Sequence, residues 1–513
     1  MPTNPRITSA DYIVVGGGTA GCVVARRLLE QTDGTVLLLE AGSSPDGLDT
    51  VSVPSRWVEN IGAPHDWAYT YEPTEHVAGR RLFLSRGRVL GGSGSTNALV
   101  WARGRKTDFD GWAAAGADGW DHASVLPYFR RCEDWEGGGS AYRGAGGPVR
   151  VERAKDLHPV AAALIEAALS YGMPHLEDTN VAEPLGAGPI NTNTEAGARA
   201  STWTGHLRPV LDHDRLTLAT GTRVTRLTLA GSRCTGVAYA GPDGLSEVTA
   251  TREVILTAGA IDTPRLLLVS GIGPSAQLRS VGVEVVHDLP GVGRNLQEHP
   301  ILGGMCFAAG EPLPPVNNNL EGSSAFWRSH PDLPVPDLLY VAVQIPYVSP
   351  EVAARFPVPP NAFCLAPGLM TVHSRGYLKL TGADPDAPLR IQPNLLAEQA
   401  DLDALVTAVE IGLELAAQPA FAKLVKTRVA PAEDVSRPAL VDFVRNAAMP
   451  YFHPVGTCAM GSHENAVVDP QLQVRGIDAL RIADASVMPT ITSANTNAPT
   501  AMIAERAADL IAQ

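Results

Sequence analysis

Short apolar runs recur along the chain and predict the strands of a buried sheet. Residues 12–15 (Tyr-Ile-Val-Val) and 36–39 (Val-Leu-Leu-Leu) are uninterrupted apolar segments, and residues 253–259 contain a third. Such runs are typical of strands that are buried on both faces. Between residues 216 and 254, short runs of alternating apolar and polar residues instead predict a meander of antiparallel strands.

Three segments carry the signals of helices. Residues 158–171 are amphipathic, with apolar side chains at helical spacing. Thr263 followed by Pro264 predicts a helix start, because threonine caps helix N-termini and proline is favoured in the first turn. Pro499 and Thr500 predict another start, and the apolar residues that follow them share one helical face.

A glycine motif links the first two apolar runs. Gly16-x-Gly18-x-x-Gly21 follows the first run and opens a helix-like segment, and Glu40 ends the second run. The glycines allow a tight turn and the close approach of a pyrophosphate, while the carboxylate can accept hydrogen bonds from a ribose. This arrangement predicts a dinucleotide site. A flexible glycine loop is the alternative, and the motif alone does not distinguish FAD from NAD.

A second glycine-rich segment, residues 87–97 (Gly-Arg-Val-Leu-Gly-Gly-Ser-Gly-Ser-Thr-Asn), is too long for a hairpin turn. Its small residues would let the backbone approach a flat ring system. An ordinary surface loop is the alternative reading of this segment. Taken with the first motif, it favours FAD over NAD.

Composition limits the class of protein. The 513 residues, of which 45% are hydrophobic, suffice for two interlocked domains. With 40 basic and 54 acidic residues the formal net charge is −14, so the protein would repel the phosphate backbone of a nucleic acid. The sequence shows no apolar signal segment and no membrane-spanning run, which predicts a cytoplasmic protein; peripheral contact with a membrane stays open.

The sequence lacks the usual markers of several other chemistries. It contains no H-E-x-x-H, no G-x-S-x-G and no G-x-x-x-x-G-K-[ST] motif. Its six cysteines are far apart and form no C-x-x-C pair, so neither a disulfide framework nor a metal site is expected. Redox chemistry by a bound flavin is the prediction that remains.

These motifs resemble those of the glucose–methanol–choline (GMC) family of FAD-dependent oxidoreductases. Residues 87–110 correspond to the first signature of that family, and residues 259–273 correspond to the second. With the N-terminal glycine motif and the C-terminal motifs around His453 and Asn497, the resemblance extends from about residue 11 to about residue 507. It is nearest to the bacterial choline dehydrogenase and aryl-alcohol oxidase branch.

The resemblance implies an α/β fold in two discontinuous parts. A Rossmann-like FAD-binding domain would comprise residues 1–110, 208–300 and 456–513. A substrate-binding domain of the α+β type, containing an antiparallel sheet, would comprise residues 111–207 and 301–455. In the family, the region that corresponds to residues 301–455 determines substrate specificity. Its sequence is irregular and proline-rich here, and it is the part of the chain that would identify the alcohol.

The resemblance also implies which residues bind FAD. Val224 would pack on the adenine, and Asp484 and Ala485 would lie at the ribityl and phosphate groups. The helix start at Pro499 and Thr500 would face the pyrimidine edge of the flavin. The predicted cofactor-binding residues are Gly16, Gly18, Thr19, Ala20, Gly21, Glu40, Ala41, Val89, Gly92, Asn97, Ala98, Leu99, Val100, Val224, Asp484, Ala485, Pro499 and Thr500.

One departure from the family pattern bears on how the cofactor is held. Thr96 stands where some members carry a histidine that is bonded covalently to the flavin. A threonine hydroxyl cannot form that bond. A noncovalent FAD is therefore expected.

Two polar residues are predicted to act on the substrate. His453 is the predicted base, because imidazole titrates near the working pH and Pro454 restricts the histidine to extended backbone conformations. Asn497 stands where family members carry histidine or asparagine, and its amide would donate to the substrate oxygen. A helix-capping role for Asn497 is the alternative. Structural roles are expected for His206, His287, His299 and His373.

The predicted function is the FAD-dependent oxidation of a primary alcohol, whether small, aryl or alkyl, to the aldehyde. His453 would take the hydroxyl proton while a hydride passes to flavin N5. Three alternatives stay open: a choline-type dehydrogenase that uses a quinone or another carrier instead of oxygen, an FAD-containing lyase acting on cyanohydrins, and a non-enzymatic dinucleotide-binding protein. The sequence leaves the alcohol, the electron acceptor and the oligomeric state open, although the acidic net charge slightly favours neutral or cationic alcohols.

Overall fold

The computed structural model describes residues 8–242, 244–433 and 435–513. Within these ranges, seven strands form a mixed sheet and eight strands form a wholly antiparallel sheet. Helices pack against both sheets. The predicted combination of an α/β fold with a separate antiparallel sheet is confirmed. No helix among the described residues is long and apolar enough to cross a membrane.

The mixed sheet is built around the strand that precedes the glycine motif. Ser9–Val15 runs parallel to Val36–Leu39 on one side and to Gly244–Leu256 on the other. The predicted meander is confirmed for residues 223–256, whose strands pair antiparallel in succession. The prediction is wrong for Leu216–Ala219, which lies at the edge of the sheet and pairs parallel with Val36–Leu39. The strand order is Leu216–Ala219, Val36–Leu39, Ser9–Val15, Gly244–Leu256, Arg233–Gly241 and Arg223–Ala230, with Leu480–Ile482 also paired to Gly244–Leu256.

The antiparallel sheet has one face on a long helix, and its other face carries a second cluster of buried apolar residues. Tyr340 lies on the helix side, where its hydroxyl donates to Ala408 O of helix Gln399–Ala416 at 3.1 Å. Because side chains alternate along a strand, Val341 and Val343 point to the opposite face. The strands are Gly186–Pro189, Pro300–Leu302, Met305–Ala309, Ser323–Trp327, Leu338–Val343, Ala362–Leu369, Val425–Ala430 and Ala448–Pro450.

Short strands and helices complete the described part of the chain. The smaller sheets contain Tyr69–Tyr71 with Leu82–Leu84; Glu133–Trp135, Val149–Arg153 and Asn191–Thr192; Thr194–Glu195 with Ala198–Arg199; Ile272–Gly273 with His287–Asp288; and Arg294–Leu296, Gly376–Leu380 and Leu389–Gln392. The helices are Thr19–Gln31, Asp49–Ser52, Pro54–Asn60, Glu75–Val77, Ser93–Thr96, Lys106–Ala114, His122–Cys132, Pro159–Tyr171, Trp203–Leu207, Arg208–Val210, Gly259–Val269, Ser275–Ser280, Pro350–Arg355, Gln399–Ala416, Pro419–Ala422, Arg437–Ala447, Ala485–Val487 and Asn497–Ala512.

Two helices begin earlier than the sequence predicts. Helix Gly259–Val269 starts four residues before Thr263, because Asp484 Oδ2 accepts hydrogen bonds from Gly259 N (2.9 Å) and from the Thr263 hydroxyl (2.6 Å). This cap comes from a residue that is distant in sequence, so local spacing could not reveal it. Helix Asn497–Ala512 likewise starts before Pro499.

A buried ion-pair network fixes the C-terminal helix to the first one. Glu505 is fully buried and accepts hydrogen bonds from Arg27 (2.8 Å), Arg131 (2.6 Å) and His206 (3.1 Å). Burial would raise the pKa of Glu505, but the hydrogen bonds from His206 and Arg27 outweigh it and lower the pKa to about 2. Glu505 therefore anchors helix Asn497–Ala512 to helix Thr19–Gln31, which follows the first glycines of the motif.

Candidate active site

The described residues enclose a cavity of about 250 Å³ between the two large sheets. Gly16, Glu40 and Thr257, each just after a parallel strand, line one end of it. Val341 and Val343 of the antiparallel sheet line the other end. The end at Glu40 is called the nucleotide end below, and the end at Val341 and Val343 is called the substrate end. Ligands of parallel α/β sheets bind at the carboxyl ends of the strands, where the loops converge. The cavity therefore combines a nucleotide-type site with a wall from the second sheet.

The two glycine-rich segments meet in the wall of this cavity. A Cβ atom on Gly92 would lie 2.8 Å from Cα of Gly18, and one on Gly16 would lie 2.8 Å from Thr257 O. Gly16 also has a φ of +103°, which favours glycine. A Cβ on Gly21 would lie 1.9 Å from Gly16 O, so Gly21 allows the helix to pack on the turn. Together these glycines form a cradle in which bare backbone can approach a pyrophosphate and a flat ring.

Glu40 lies at the nucleotide end with its carboxylate already held in position. Its oxygens accept hydrogen bonds from Gly17 N (2.7 Å) and Gly42 N (2.7 Å). Burial nevertheless raises the pKa of Glu40 to about 7. Each oxygen retains a second lone pair, so the carboxylate can still accept from ribose hydroxyls.

Most of the residues predicted to bind the cofactor line the cavity. They are Gly16, Gly18, Thr19, Ala20, Glu40, Ala41, Gly92, Asn97, Ala98, Val100, Val224, Asp484, Ala485 and Thr500. Four predicted residues, Gly21, Val89, Leu99 and Pro499, are buried and are not part of the lining. Thr96 lines the cavity as well.

Arg199 supports the second glycine segment and was not predicted from the sequence. It donates to Asn97 Oδ1 and to Asn97 O, both at 2.7 Å, from a position 102 residues away. Burial lowers its pKa to about 9. No local motif marks this residue, because its role depends on a contact between distant parts of the chain.

His453 is held at the substrate end by contacts on its backbone and on both ring nitrogens. Its N–H donates to Glu298 Oε1 at 2.6 Å, which fixes the main chain. Nδ1 lies 3.0 Å from His299 Nδ1, and Nε2 lies 3.3 Å from Asn495 Nδ2. Burial, followed by the nearby His299 and Arg86, holds the pKa of His453 well below its usual value. The imidazole is therefore neutral at neutral pH and carries a single ring proton.

The contacts around His453 assign its tautomer. Asn495 Nδ2 is a donor, so His453 Nε2 must present a lone pair to it, and the ring proton then lies on Nδ1. That proton is donated to His299 Nδ1. The proton of His299 then lies on Nε2, which is buried without a hydrogen-bond partner among the described residues. Burial lowers the pKa of His299 to about 3, so this ring also stays neutral.

The two asparagines at the start of the C-terminal helix have different surroundings. Asn495, which was not predicted, lies beside His453 in the cavity wall. Asn497 instead accepts a hydrogen bond from the Thr19 hydroxyl at 2.8 Å through Oδ1. It therefore connects the first glycine motif to the start of helix Asn497–Ala512. The sequence predicted the pair His453 and Asn497; the structure brings His453 and Asn495 together.

A buried carboxyl group forms part of the wall at the substrate end. Glu321 is 4% exposed, and its Oε2 atom has no hydrogen-bond partner among the described residues. The hydroxyl of Tyr451 is likewise buried without a partner there, and Tyr347 completes this part of the wall. Burial alone raises the pKa of Glu321 to about 8. The ring centroid of Tyr451 lies 4.5 Å from that of His453, so the Tyr451 side chain is adjacent to the predicted base.

Comparison with known proteins matches the chain to two family descriptions, both named GMC oxidoreductase, over residues 10–301 and 372–504. It is 39% identical to the mitochondrial choline dehydrogenase of Homo sapiens, over 98% of this chain and 89% of that protein. It is 37% identical to the oxygen-dependent choline dehydrogenase of Paraburkholderia phytofirmans, over 98% of this chain and 94% of that protein.

A solved structure described as pyridoxine 4-oxidase from Mesorbium loti superimposes with a TM-score of 0.94 at 34% identity, covering 98% of this chain and 99% of that one. The glycine cradle, Glu40 and the apolar surface at Val224 fit the FAD that the family uses. The chain belongs to the GMC oxidoreductase family and is an FAD-dependent oxidoreductase that acts on CH–OH groups.

Proposed function

We propose that this enzyme oxidises a primary alcohol to the aldehyde, with His453 as the base and Asn495 as the group that holds the substrate oxygen. The observation that carries the proposal is the unprotonated Nε2 of His453, which faces the cavity beside the amide of Asn495. FAD, when bound, supplies the acceptor for the hydride that leaves the alcohol carbon.

His453 would remove the hydroxyl proton through Nε2. Its lowered pKa keeps Nε2 unprotonated across the neutral range, and the hydrogen bond from Nδ1 to His299 holds the ring in the tautomer that this step needs. A departing hydroxyl proton raises electron density on the oxygen and weakens the adjacent C–H bond. Asn495 Nδ2 would then donate to the developing alkoxide, which is a stabilisation that does not depend on pH.

Asn497 takes a different part in this proposal from the one predicted. Its contact with Thr19 places it at the junction of the first glycine motif and the C-terminal helix, and it lines the cavity. A helix N-terminus favours negative charge, by about 0.3–1 kcal/mol at an exposed site. We therefore assign Asn497, with Thr500, to the contact with the cofactor rather than to the substrate oxygen.

We further propose that the alcohol carries a cationic group that pairs with Glu321. An unpartnered carboxyl in a largely apolar cavity needs a complementary group, and the faces of Tyr347 and Tyr451 suit an ammonium ion. The net charge of −14 would also attract cationic substrates. The similarity to choline dehydrogenases supports the same class, an alcohol with a quaternary ammonium group.

The remaining features of the proposal follow the sequence. FAD is held noncovalently, because Thr96 offers no nitrogen for a bond to the flavin.

The proposed domain limits are those predicted from the sequence. They are residues 1–110, 208–300 and 456–513 for FAD binding, and residues 111–207 and 301–455 for the substrate. A cytoplasmic location is supported by the six cysteines, all of which are free. The acceptor that reoxidises the flavin, whether oxygen, a quinone or another carrier, stays open.

Anaerobic mixing of the holoenzyme with choline tests the proposal. Loss of the oxidised flavin absorbance together with formation of the aldehyde is expected. A spectrum that stays oxidised while a cyanohydrin is cleaved would instead establish the lyase alternative. Repeating the reaction in air with detection of peroxide identifies whether oxygen is an acceptor.

A further inference from the structure

Cys306 and Cys364 lie directly opposite each other in the antiparallel sheet. Strands Met305–Ala309 and Ala362–Leu369 pair antiparallel, and the Cα partner of Cys306 is Cys364. In the continuation of this register, Ala309 N donates to Asn361 O at 3.0 Å, which marks a hydrogen-bonded pair. Hydrogen-bonded and non-hydrogen-bonded pairs alternate, so the two cysteines form a non-hydrogen-bonded pair. In such pairs the Cα atoms are only about 4.5 Å apart and the side chains are closest.

The two thiols share one face of the sheet and interact directly. Both cysteines belong to the same buried apolar cluster, and both are 0% exposed. The Cys364 thiol lowers the pKa of Cys306, whereas burial and then Cys306 raise the pKa of Cys364. Each thiol therefore lies within interaction distance of the other.

This pair is adjacent to the wall of the substrate cavity. Val343 is the Cα partner of Cys364 on the neighbouring strand, and Val343 lines the cavity. Cross-strand partners point to the same face of a sheet, so the Cys364 side chain lies on the cavity side. The main chain of Tyr347, another lining residue, is close enough to the Cys364 thiol to affect its pKa.

We propose that Cys306 and Cys364 are a thiol pair that hydrogen peroxide converts to a disulfide behind the cavity wall. The Cys306 sulfur attacks one peroxide oxygen, the O–O bond breaks, and a sulfenic acid and one water form. The Cys364 sulfur then attacks the sulfenic sulfur, and the S–O bond breaks to release a second water. Two thiols lose two electrons and two protons, and one peroxide is reduced to two waters.

The cross-link has a geometric consequence for the cavity. Disulfides occur at Cα separations of roughly 4.4–6.8 Å, so the pair can be bridged within the existing register with a slight spreading of the two strands. A displacement of Ala362–Leu369 is passed to Val343 through the strand pairing and to Tyr347 through its contact with Cys364. The bridge is therefore expected to change the binding of the alcohol more than its chemistry. The disulfide itself is inferred from the sheet register and does not depend on the proposed substrate.

The experiment is titration of the holoenzyme with hydrogen peroxide, followed by alkylation of the remaining thiols in denaturant and mass mapping of the peptides. We expect the number of free thiols to fall from six to four, with a single cross-linked peptide that joins Cys306 to Cys364 and is reversed by dithiothreitol. Oxidation of either cysteine alone to a sulfinic or sulfonic acid, or cross-links to other cysteines, would overturn the proposal. This arm needs no variant and so does not depend on the folding of a mutant.

Variants supply the matched control. C306S and C364S should each retain all five remaining thiols under the same peroxide treatment, whereas C234S, which alters another buried cysteine, should still lose two. KM for the alcohol, measured before and after oxidation of the wild-type enzyme and again after reduction, is expected to change and then to recover. A disulfide that leaves KM unchanged would overturn the predicted effect on the cavity.

Discussion

The amide nitrogen of Asn495 lies 3.3 Å from Nε2 of His453. Asn497, two residues further on, instead accepts a hydrogen bond from the Thr19 hydroxyl. The pair that lines the cavity therefore consists of a neutral imidazole with a lone pair on Nε2 and a neutral hydrogen-bond donor. Asn495→Ala should lower the rate of flavin reduction by about 10²–10³, the usual effect of removing one donor to a developing oxyanion. Stopped-flow absorbance at saturating alcohol measures this rate.

Asn497→Ala is the matched control for that measurement. It should weaken the retention of FAD, because it removes the acceptor of the Thr19 hydroxyl, and leave the reduction rate of the enzyme that keeps FAD closer to that of the wild type. The reverse order of effects would return the oxygen-holding role to Asn497.

His299 is expected to act as a positioning residue through Nδ1. His299→Leu removes the acceptor of the His453 Nδ1 proton and should lower kcat while shifting the acidic limb of the pH profile, because burial beside His299 sets the pKa of His453. His299→Asn offers an amide oxygen in place of Nδ1 and should recover part of the rate. Equal losses in both variants would indicate a role in packing alone.

The carboxyl group of Glu321 predicts a pH dependence that only a cationic alcohol shows. Its pKa is raised to about 8 by burial, so the group is neutral below this pH and charged above it. A cation pairs with the charged form, and kcat/KM for choline should therefore rise as the pH increases through about 8. The neutral isostere 3,3-dimethylbutan-1-ol should lack this rise.

Glu321→Gln provides the control, because it keeps the shape of the side chain and removes the charge. The ratio of kcat/KM for choline to that for the neutral isostere should fall steeply in this variant. A ratio that stays at the wild-type value would show that Glu321 does not select the cation.

The ion pairs of Glu505 predict a loss of stability in acid. The folded pKa of about 2 lies below the reference value of 4.5, so the stabilisation is fully present above about pH 4.5 and is lost as the pH falls toward 2. Glu505→Gln leaves Arg27 and Arg131 without their buried partner and should cost about 3–5 kcal/mol in the free energy of unfolding. Urea denaturation measures this change, and Glu30→Gln, which alters an exposed partner of Arg27, should cost less than about 1 kcal/mol.

Local patterns in the sequence predict the parts of the fold that depend on neighbouring residues. The apolar run at 36–39 is the strand Val36–Leu39, and the alternating runs from residue 223 onward are the antiparallel meander. The glycine motif could be identified from the sequence as well, because its turn directly follows the strand that precedes it. Residues whose contacts are distant could not be found in this way.

Three residues of the site illustrate that limit. Asn495 and Asn497 both lie close to a predicted helix start, and the sequence does not show which of them faces His453. In the structure the helix begins at Asn497, which contacts Thr19, whereas Asn495 lies before the helix and contacts His453. Glu321 carries no motif, and its importance arises from burial beside strands that are remote in sequence. Burial and long-range pairing decide these roles, and neither is visible in the spacing of residues.

The rate of flavin reduction in His453→Ala tests the central claim most directly. The variant should retain FAD, because His453 lies at the substrate end of the cavity, and anaerobic reduction by saturating alcohol should be slower by about 10²–10⁴, the usual contribution of a general base. Reduction of the FAD-loaded variant at the wild-type rate would contradict the assignment of His453 as the base.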